Sequence, residues 1–402
     1  MGFELRAWTP GELEKIVVKT DKYWVHYKDG KKILDMQSGN SAYILGYGNE
    51  EVIEAMNEQI RSVAFVRGNR GETAEICQEM AELICTTGGF DVMSWAVTGS
   101  SAVEAAIAMN DTYWKRQKIE RPYIISFTPG YHGTTHLTKA MGLPHLQEFG
   151  LERVLTCTAP RWMEEHQRSV EEEKSLKHLK SMVERYKGKV GCIVMESCPW
   201  YQGILPWSEN WWKQIRSICD AYDILMITDD VAVCWGKALH YHGYQVHGVQ
   251  PDISALGKSL SAGYTPLGAA VGNKKVGAVL RKNEWEFGHT WQPNMMGIAA
   301  MKAVNNIIVR DKLFEKAVSH SDKFKAIAEN LKAQGYIKSY RHQGLFLAID
   351  TDSYTTINKL VDAGLGATTA QQGTIKIIGN LIADDEYFAE MEKRLTIFFE
   401  RQ

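Results

Sequence analysis

The sequence predicts an α/β protein, with a mostly parallel sheet in a large domain and a smaller α+β domain beside it. Three observations carry that prediction. From Met93 onward short apolar runs alternate with stretches of helical period, a βαβ rhythm that places helices on both faces of a parallel sheet. After about residue 295 the rhythm gives way to two long helical stretches, short strands and a terminal helix. The chain has 402 residues, 45% hydrophobic and 23% charged, which is enough for two lobes with an ordinary globular core. The divisions fall at residues 1–45, an N-terminal segment belonging to the small domain; 46–295, the large domain; and 296–402, the C-terminal small domain.

In chain order, a short helix is expected at Thr9–Glu14, then strands Tyr23–Tyr27 and Lys32–Met36 around the turn Lys28-Asp29-Gly30. Val52, Ile53, Met56, Ile60 and Val63 line one stripe of a helix over Asn49–Val63, and a second helix follows from Thr73 to about Thr86. The alternation then runs strand Met93–Thr98, helix 101–117, strand Tyr123–Phe127 and helix Ser175–Tyr186. It continues with strand Gly191–Glu196, helix Glu209–Ala221 and strand 224–228. Helices Gly297–Val309, Leu313–Gln334 and Asp384–Phe399 belong to the second lobe. Glu171-Glu172-Glu173-Lys174 reads as a solvated helix start.

Composition narrows the function. A net charge of −2 leaves no basic excess for nucleic acid, and no apolar run is long enough to cross a bilayer. Met1–Arg6 lacks a signal-peptide core, and seven cysteines without CxxC or CxxH spacing read as reduced, so a cytoplasmic location is expected. No metal site is expected: His240, His242 and His247 have no convincing carboxylate or thiolate beside them and read as surface or substrate-side residues.

The chemistry concentrates in four places. The apolar run Ile224–Thr228 delivers Asp229, and Pro251–Gly257 delivers Lys258 ahead of the turn Ser261-Ala262-Gly263-Tyr264-Thr265-Pro266. A lysine amine and a carboxylate are what pyridoxal 5′-phosphate (PLP) needs, one for its aldehyde and one for its ring nitrogen. Burial of the Lys258 stem disfavours the ammonium and frees the amine for Schiff-base chemistry. An ion pair at Asp229 is worth on the order of 4 kcal/mol at an effective dielectric near 20. Val231, two residues on, can pack on the ring. Thr98–Glu104 lies between a strand and a helix; Ser101 with Glu104 fits a capping box, Gly99 allows close approach of a phosphate and Ser100 offers a hydroxyl. Gly130-Tyr131-His132-Gly133 offers Tyr131 as a stacking ring, with His132 open between a structural and a functional part. Each motif alone is weak: a turn, a cap and a salt-bridging aspartate are ordinary features.

In order along one chain, they resemble the class III (ω-type) aminotransferases of PLP fold type I over nearly the whole length. Leu225–Val231 is similar to that family's L-I-x-D-E-V strand. Pro251–Lys258 with Gly263–Ala269 resembles its P-D-[IL]-x(4)-K and G-Y-x-P-L-[GS]-A blocks. Thr98–Glu104 resembles the phosphate turn, Tyr131-His132-Gly133 the Y-H-G motif, and Gly288-His289-Thr290 the G-[HG]-T segment. Leu34-Asp35 with Ser38-Gly39 is similar to the N-terminal D-x-x-[SA]-G. The resemblance implies a seven-stranded sheet, a Schiff base at Lys258 and Asp229 on the pyridine nitrogen. Val231 and Tyr131 would enclose the ring, Gly99 and Ser100 would hold the phosphate, and Glu196 would lie near the active site. It also implies a homodimer in which Thr290 reaches the neighbouring subunit's cofactor. Departures from the family pattern are Ser101 and Asp230 for glutamates, Ser197 for a proline, and Cys234–Leu239 for G-x-G-R-T-G. Where many members carry an arginine for a substrate carboxylate, this chain has Lys376, a point charge rather than a bidentate fork.

The expected activity is ping-pong transfer of an amino group from an amine or amino acid to a keto or aldehyde acceptor. The alternatives are an aminomutase resembling glutamate-1-semialdehyde mutase, a diaminopelargonate (biotin pathway) aminotransferase, and a PLP-binding protein without turnover. Within the transaminases the turn after Lys258 leans toward the broad ω-amine group, with Trp235, Trp291 and Tyr43 as candidate lining of an apolar substrate pocket.

Overall fold

The computed structural model describes residues 15–143, 151–162, 164–351, 355–370 and 373–401. The helix expected at Thr9–Glu14 lies outside them. Strands β1 (Val17–Asp21), β2 (Trp24–Tyr27) and β3 (Lys32–Asp35) form an antiparallel meander, and helices follow at Glu50–Ser62 and Glu75–Gly88. The large sheet is built from β4 (Val92–Ala96), β5 (Tyr123–Thr128), β6 (Val154–Thr158), β7 (Val190–Glu196), β8 (Leu225–Asp229), β9 (Ile253–Leu256) and β10 (Gly268–Gly272). Their order is β4-β10-β9-β8-β7-β5-β6. Pairs β5–β6, β5–β7, β7–β8 and β8–β9 are parallel; β10 runs antiparallel to both its neighbours.

Continuous burial explains the apolar runs. Every residue of β7 and β8 is buried, because helices cover both faces of the sheet. Cys192, Val194, Leu225 and Ile227 pack with Ala102, Ala105 and Ala106 of the Gly99–Arg116 helix. Ile193, Met195 and Met226 turn the other way, into a core that includes Trp211 and Ile215 of the Glu209–Tyr222 helix. The small residues on the first helix let it sit close to the strands.

After the Met295–Arg310 and Leu313–Ala333 helices come β11 (Ser339–Gln343), β12 (Phe346–Asp350), β13 (Leu365–Gly366), β14 (Thr368–Thr369) and β15 (Thr374–Ile378). Four of them form the sheet β11-β12-β15-β14, while β13 pairs in parallel with β3 and joins the N-terminal meander. The terminal helix is Asp385–Glu400.

Several expectations need correction. The helix expected from Ser175 begins at Arg168, and its Glu172 is not solvated. Glu172 is buried and accepts hydrogen bonds from Ser208 N at 2.6 Å and Ser208 Oγ at 2.5 Å, which ties two helices together. The capping box lies one pair earlier than Ser101–Glu104: the Thr98 hydroxyl accepts from Ser101 N, and Ser101 Oγ accepts from Thr98 N. The strands β6 and β10 were not among the predicted elements; β10 is Gly-Ala-Ala-Val-Gly, with few of the branched residues that mark strands.

Candidate active site

The carboxyl ends of the parallel strands converge on one cavity of about 180 Å³. It is lined by Thr98, Gly99 and Ser100 after β4, Tyr131, His132 and Gly133 after β5, and Glu196 at the end of β7. Cys198, Trp200, Asp229, Val231, Ala232 and Lys258 complete the wall. Short connections at strand ends put side chains from five distant segments around one space.

Lys258 opens a 3-10 turn after β9, with φ of 41°, a left-handed conformation rare for a side chain of this kind. Protein surrounds the residue while part of its side chain still opens on the cavity. Burial lowers its pKa, against the pull of the Asp229 and Glu196 carboxylates. Its amine has no hydrogen-bond partner among the described residues, and it lies 5.2 Å from the centroid of the Trp200 ring.

Asp229 is buried at the end of β8 and meets His132 Nδ1 at 2.9 Å; it also accepts from Val231 N at 3.1 Å. Burial opposes a charged His132, but the hydrogen bond and charge of Asp229 outweigh it and raise the imidazole pKa. Glu196 accepts from Tyr131 N at 3.0 Å, and burial pushes its carboxyl up to about 7, with Asp229 adding to the rise. Asp230, next along the chain, faces away from this group. It bonds Ser197 Oγ and Tyr244 N, and burial raises it to about 7.

The turn after β4 is shaped by Gly99. A Cβ there would fall 2.5 Å from Val231 Cγ1, so this glycine and Val231 are packed against each other. Thr98 takes the N–H of Ser101, and Ala102 N bonds Thr98 O, which leaves the N–H groups of Gly99 and Ser100 at the helix start without a partner among the described residues. Ser100 Oγ accepts from Thr134 N at 3.1 Å.

Of the residues singled out from sequence, Gly99, Ser100, Tyr131, Glu196, Asp229, Val231 and Lys258 share this cavity. Thr290 does not. It is exposed in a separate groove with Phe65, Arg67, Trp285 and Gln292. Trp235 is fully buried against Tyr241, Trp291 is 64% exposed, and Tyr43 packs on Tyr47 and Tyr264, so none of the three lines the cavity. His242 and His247 are core residues, not surface ones: they bond Ile84 O and Ser197 O, and His247 stacks on Trp212 at 4.1 Å. Among the described residues there is no cluster of metal-ligating side chains. Trp200 and Cys198 were missed; their signal was position, directly after a strand ending in Glu196.

A family model, aminotransferase class-III, matches residues 9–398. The chain belongs to the class-III aminotransferases. Among curated relatives of this class-III chain is the adenosylmethionine-8-amino-7-oxononanoate aminotransferase of Geobacter sulfurreducens. It is 28% identical over 370 residues, 86% of this chain and 80% of that protein. The putrescine–pyruvate aminotransferase of Pseudomonas aeruginosa is 25% identical over 369 residues, 88% of this chain and 80% of that protein. The ω-transaminase of Pseudomonas jessenii, solved in complex with PMP, superposes with a TM-score of 0.93 at 19% identity, covering 99% of this chain and 96% of that one. The architecture is therefore that of fold type I transaminases.

Class-III aminotransferases use PLP, and the cavity fits it. Among the described residues it offers an amine without a hydrogen-bond partner, a histidine-backed carboxylate and two unbonded N–H groups at a helix start, beside a glycine where a side chain would clash with Val231.

Proposed function

We propose that this class-III aminotransferase moves an amino group between an amine or amino acid and a keto or aldehyde acceptor, with Lys258 as the reacting amine. The observation that carries the assignment is the Lys258 amine itself, without a hydrogen-bond partner among the described residues and facing the same cavity as the Asp229–His132 pair. When bound, PLP supplies an aldehyde for amine exchange and a ring that accepts electron density from the substrate carbon. Asp229 would face the ring nitrogen, and the hydrogen bond from His132 fixes its carboxylate. Gly99 and Ser100 would hold the phosphate through their backbone N–H groups. Val231 and Tyr131 would bound the ring's two faces. Once released, Lys258 Nζ would carry the proton to and from the substrate carbon, a task helped by burial, which lowers the basicity of the amine. Glu196 would hold the Tyr131 loop through its N–H. The relatives' names span putrescine with pyruvate, acetylornithine and 8-amino-7-oxononanoate, so they support the transfer more than any one substrate.

We infer further that the chain acts as a homodimer, with Thr290 serving the partner's site. Thr290 is exposed beside Trp291 and Phe65, which are 64% and 45% exposed and meet edge to face at 5.9 Å. Residues 1–45 and 296–402 would form the small domain and 46–295 the large one, a division supported by the β3–β13 pairing. A cytoplasmic location is supported by seven cysteines without a disulfide.

The test is the absorbance of the PLP-loaded protein against a panel of amines. A visible band that converts to the pyridoxamine form with an amine, and is absent in Lys258→Ala, is the expected result. A band that no amine changes would favour the mutase or the inactive binder, and no band at all would overturn the assignment. Light scattering at micromolar protein should give twice the chain mass; a monomer that still turns over would remove Thr290 from the site.

A further inference from the structure

After β7 the chain runs through residues 197–208 before the Glu209–Tyr222 helix begins, and this connection touches both the cavity and the small sheet. Cys198 and Trp200 line the cavity, while Ile204 packs with Val233, Phe346 and Ile378. Gly203, at φ of 107°, lies so close to the small sheet that a Cβ would fall 3.3 Å from Arg341 Nη2. Arg341 Nε donates to Gly203 O at 3.1 Å, and its two Nη groups are held by Asp350, which also accepts from the Thr374 hydroxyl. One residue earlier, Gln202 reaches the loop that carries Tyr131. It is 8% exposed, and its Nε2 donates to Pro129 O. Gly130 N donates to Gly142 O at 2.7 Å, and Tyr131 N to Glu196. The Tyr201 ring stands near-parallel to Tyr131, 20° apart with centroids at 6.3 Å.

We propose that Gln202 is a positioning residue for the amino-group transfer: it sets the Tyr131 ring against the cofactor by holding the peptide that precedes it. The inference rests on the aminotransferase reading of this cavity, in which Tyr131 bounds one face of the cofactor ring. The physical case begins with an imbalance. Gln202 Oε1 is buried without a partner among the described residues, so the amide makes one hydrogen bond and leaves one acceptor unsatisfied. An orphaned buried acceptor offsets about what a hydrogen bond contributes, so this side chain adds little to folding. What it adds is direction. Pro129 O and Gly130 N are opposite edges of one peptide plane, and Gln202 and Gly142 O grip it from both edges. Gly130, without a Cβ to restrict it, is the joint between that plane and the next, whose N–H is held by Glu196. Release of one edge lets the first plane tip about the other, and Tyr131 turns with it. Aromatic contacts favour particular offsets and tilts, so a small turn of Tyr131 is felt at the cofactor face.

The experiment binds pyridoxamine phosphate, which has no aldehyde to react with Lys258, to the cofactor-free protein and reads affinity together with the circular dichroism of the bound cofactor. Gln202→Leu should weaken binding by about three- to tenfold and lower the dichroic band per bound cofactor, with the melting curve of the cofactor-free protein nearly unchanged. Gln202→Asn, which keeps the amide but falls one methylene short of Pro129 O, should match it. Tyr131→Ala should weaken binding by itself, and adding Gln202→Leu to it should cost nothing more, because Gln202 then has no ring to place. Affinity and dichroism equal to wild type in Gln202→Leu, or the same loss with and without the Tyr131 ring, would overturn the positioning role. A loss of binding that follows a collapsed melting curve would assign Gln202 to the fold and overturn it as well. A wild type that binds the cofactor and converts with amines, with Gln202→Leu its equal, would remove only this inference; a wild type that takes up no cofactor would remove the aminotransferase reading itself.

Discussion

Two regions of this molecule each bury a lysine, and they use it in opposite ways. At the cavity, Lys258 has its amine free of hydrogen bonds among the described residues and a left-handed backbone beneath it. At the seam between the N-terminal segment and β15, Lys237 is fully buried and donates to Gly379 O at 2.7 Å, within the field of Asp35. Ser38 Oγ donates to the same carbonyl, and Asp35 in turn accepts from Gln37 N, Gly39 N and the Tyr47 hydroxyl. Burial pushes both amines below the ordinary lysine range. What separates reactivity from structure is therefore satisfaction: the seam lysine has spent its donor on the fold, and the cavity lysine has kept its own.

The contrast can be broken by exchange of effects. Lys258→Ala should cut the amine half-reaction by about 10⁴-fold while leaving the thermal unfolding midpoint nearly unchanged. A large drop in stability would show that the cavity lysine also holds the fold. Asp229→Asn removes the charge but keeps the His132 contact, and should slow the same half-reaction by about 10²-fold in stopped-flow absorbance. A rate within twofold of wild type would take Asp229 out of the chemistry. Lys237→Met should do the reverse, lowering stability by about 1–3 kcal/mol in urea titration with the cofactor band intact. Glu172→Ala, which frees both Ser208 donors at a helix start, should cost about 1–2 kcal/mol and leave turnover alone.

The remaining test is a tilt with pH. The Glu196 carboxyl titrates at about 7 in the folded protein and near 4.3 in an unfolded chain. The folded state then holds the extra proton, so this contribution to stability is full below about pH 4 and is lost as pH climbs through 7. Glu196→Gln should accordingly gain stability relative to wild type between pH 5 and 8, read from paired melting curves of the cofactor-free protein. A constant difference would mean that Glu196 is ionised throughout.

The sequence carried the cavity well because strands that end in chemistry are hard to disguise. Ile224–Asp229 and Ile253–Lys258 read as buried runs with a charge at the tip, and that is how they sit. Tertiary partners were the part that could not be read. Glu172 is one of three consecutive glutamates, and only the approach of Ser208, 36 residues away, makes it a buried acceptor. Trp235, an apolar aromatic, reads from sequence as candidate pocket lining, yet the chain turns at Trp235 and Gly236, with φ of 56° and 100°, and carries the ring into the core. Val154–Thr158 escaped because an edge strand needs only one neighbour, here β5, and less hydrophobic patterning.

The reversed strand β10 has a consequence for how the protein is made. Among the described residues β4 pairs in the large sheet only with β10, and Val92 meets Gly272 across that ladder. A ribosome adding about 5–20 residues per second needs on the order of ten to forty seconds to span that gap. Through that interval β4, and the Thr98–Ser100 turn that follows it, wait with an unpaired edge. The growing chain thus holds one wall of its active site without the other until its middle third has been synthesised, a window in which chaperone capture or β-strand aggregation competes with folding.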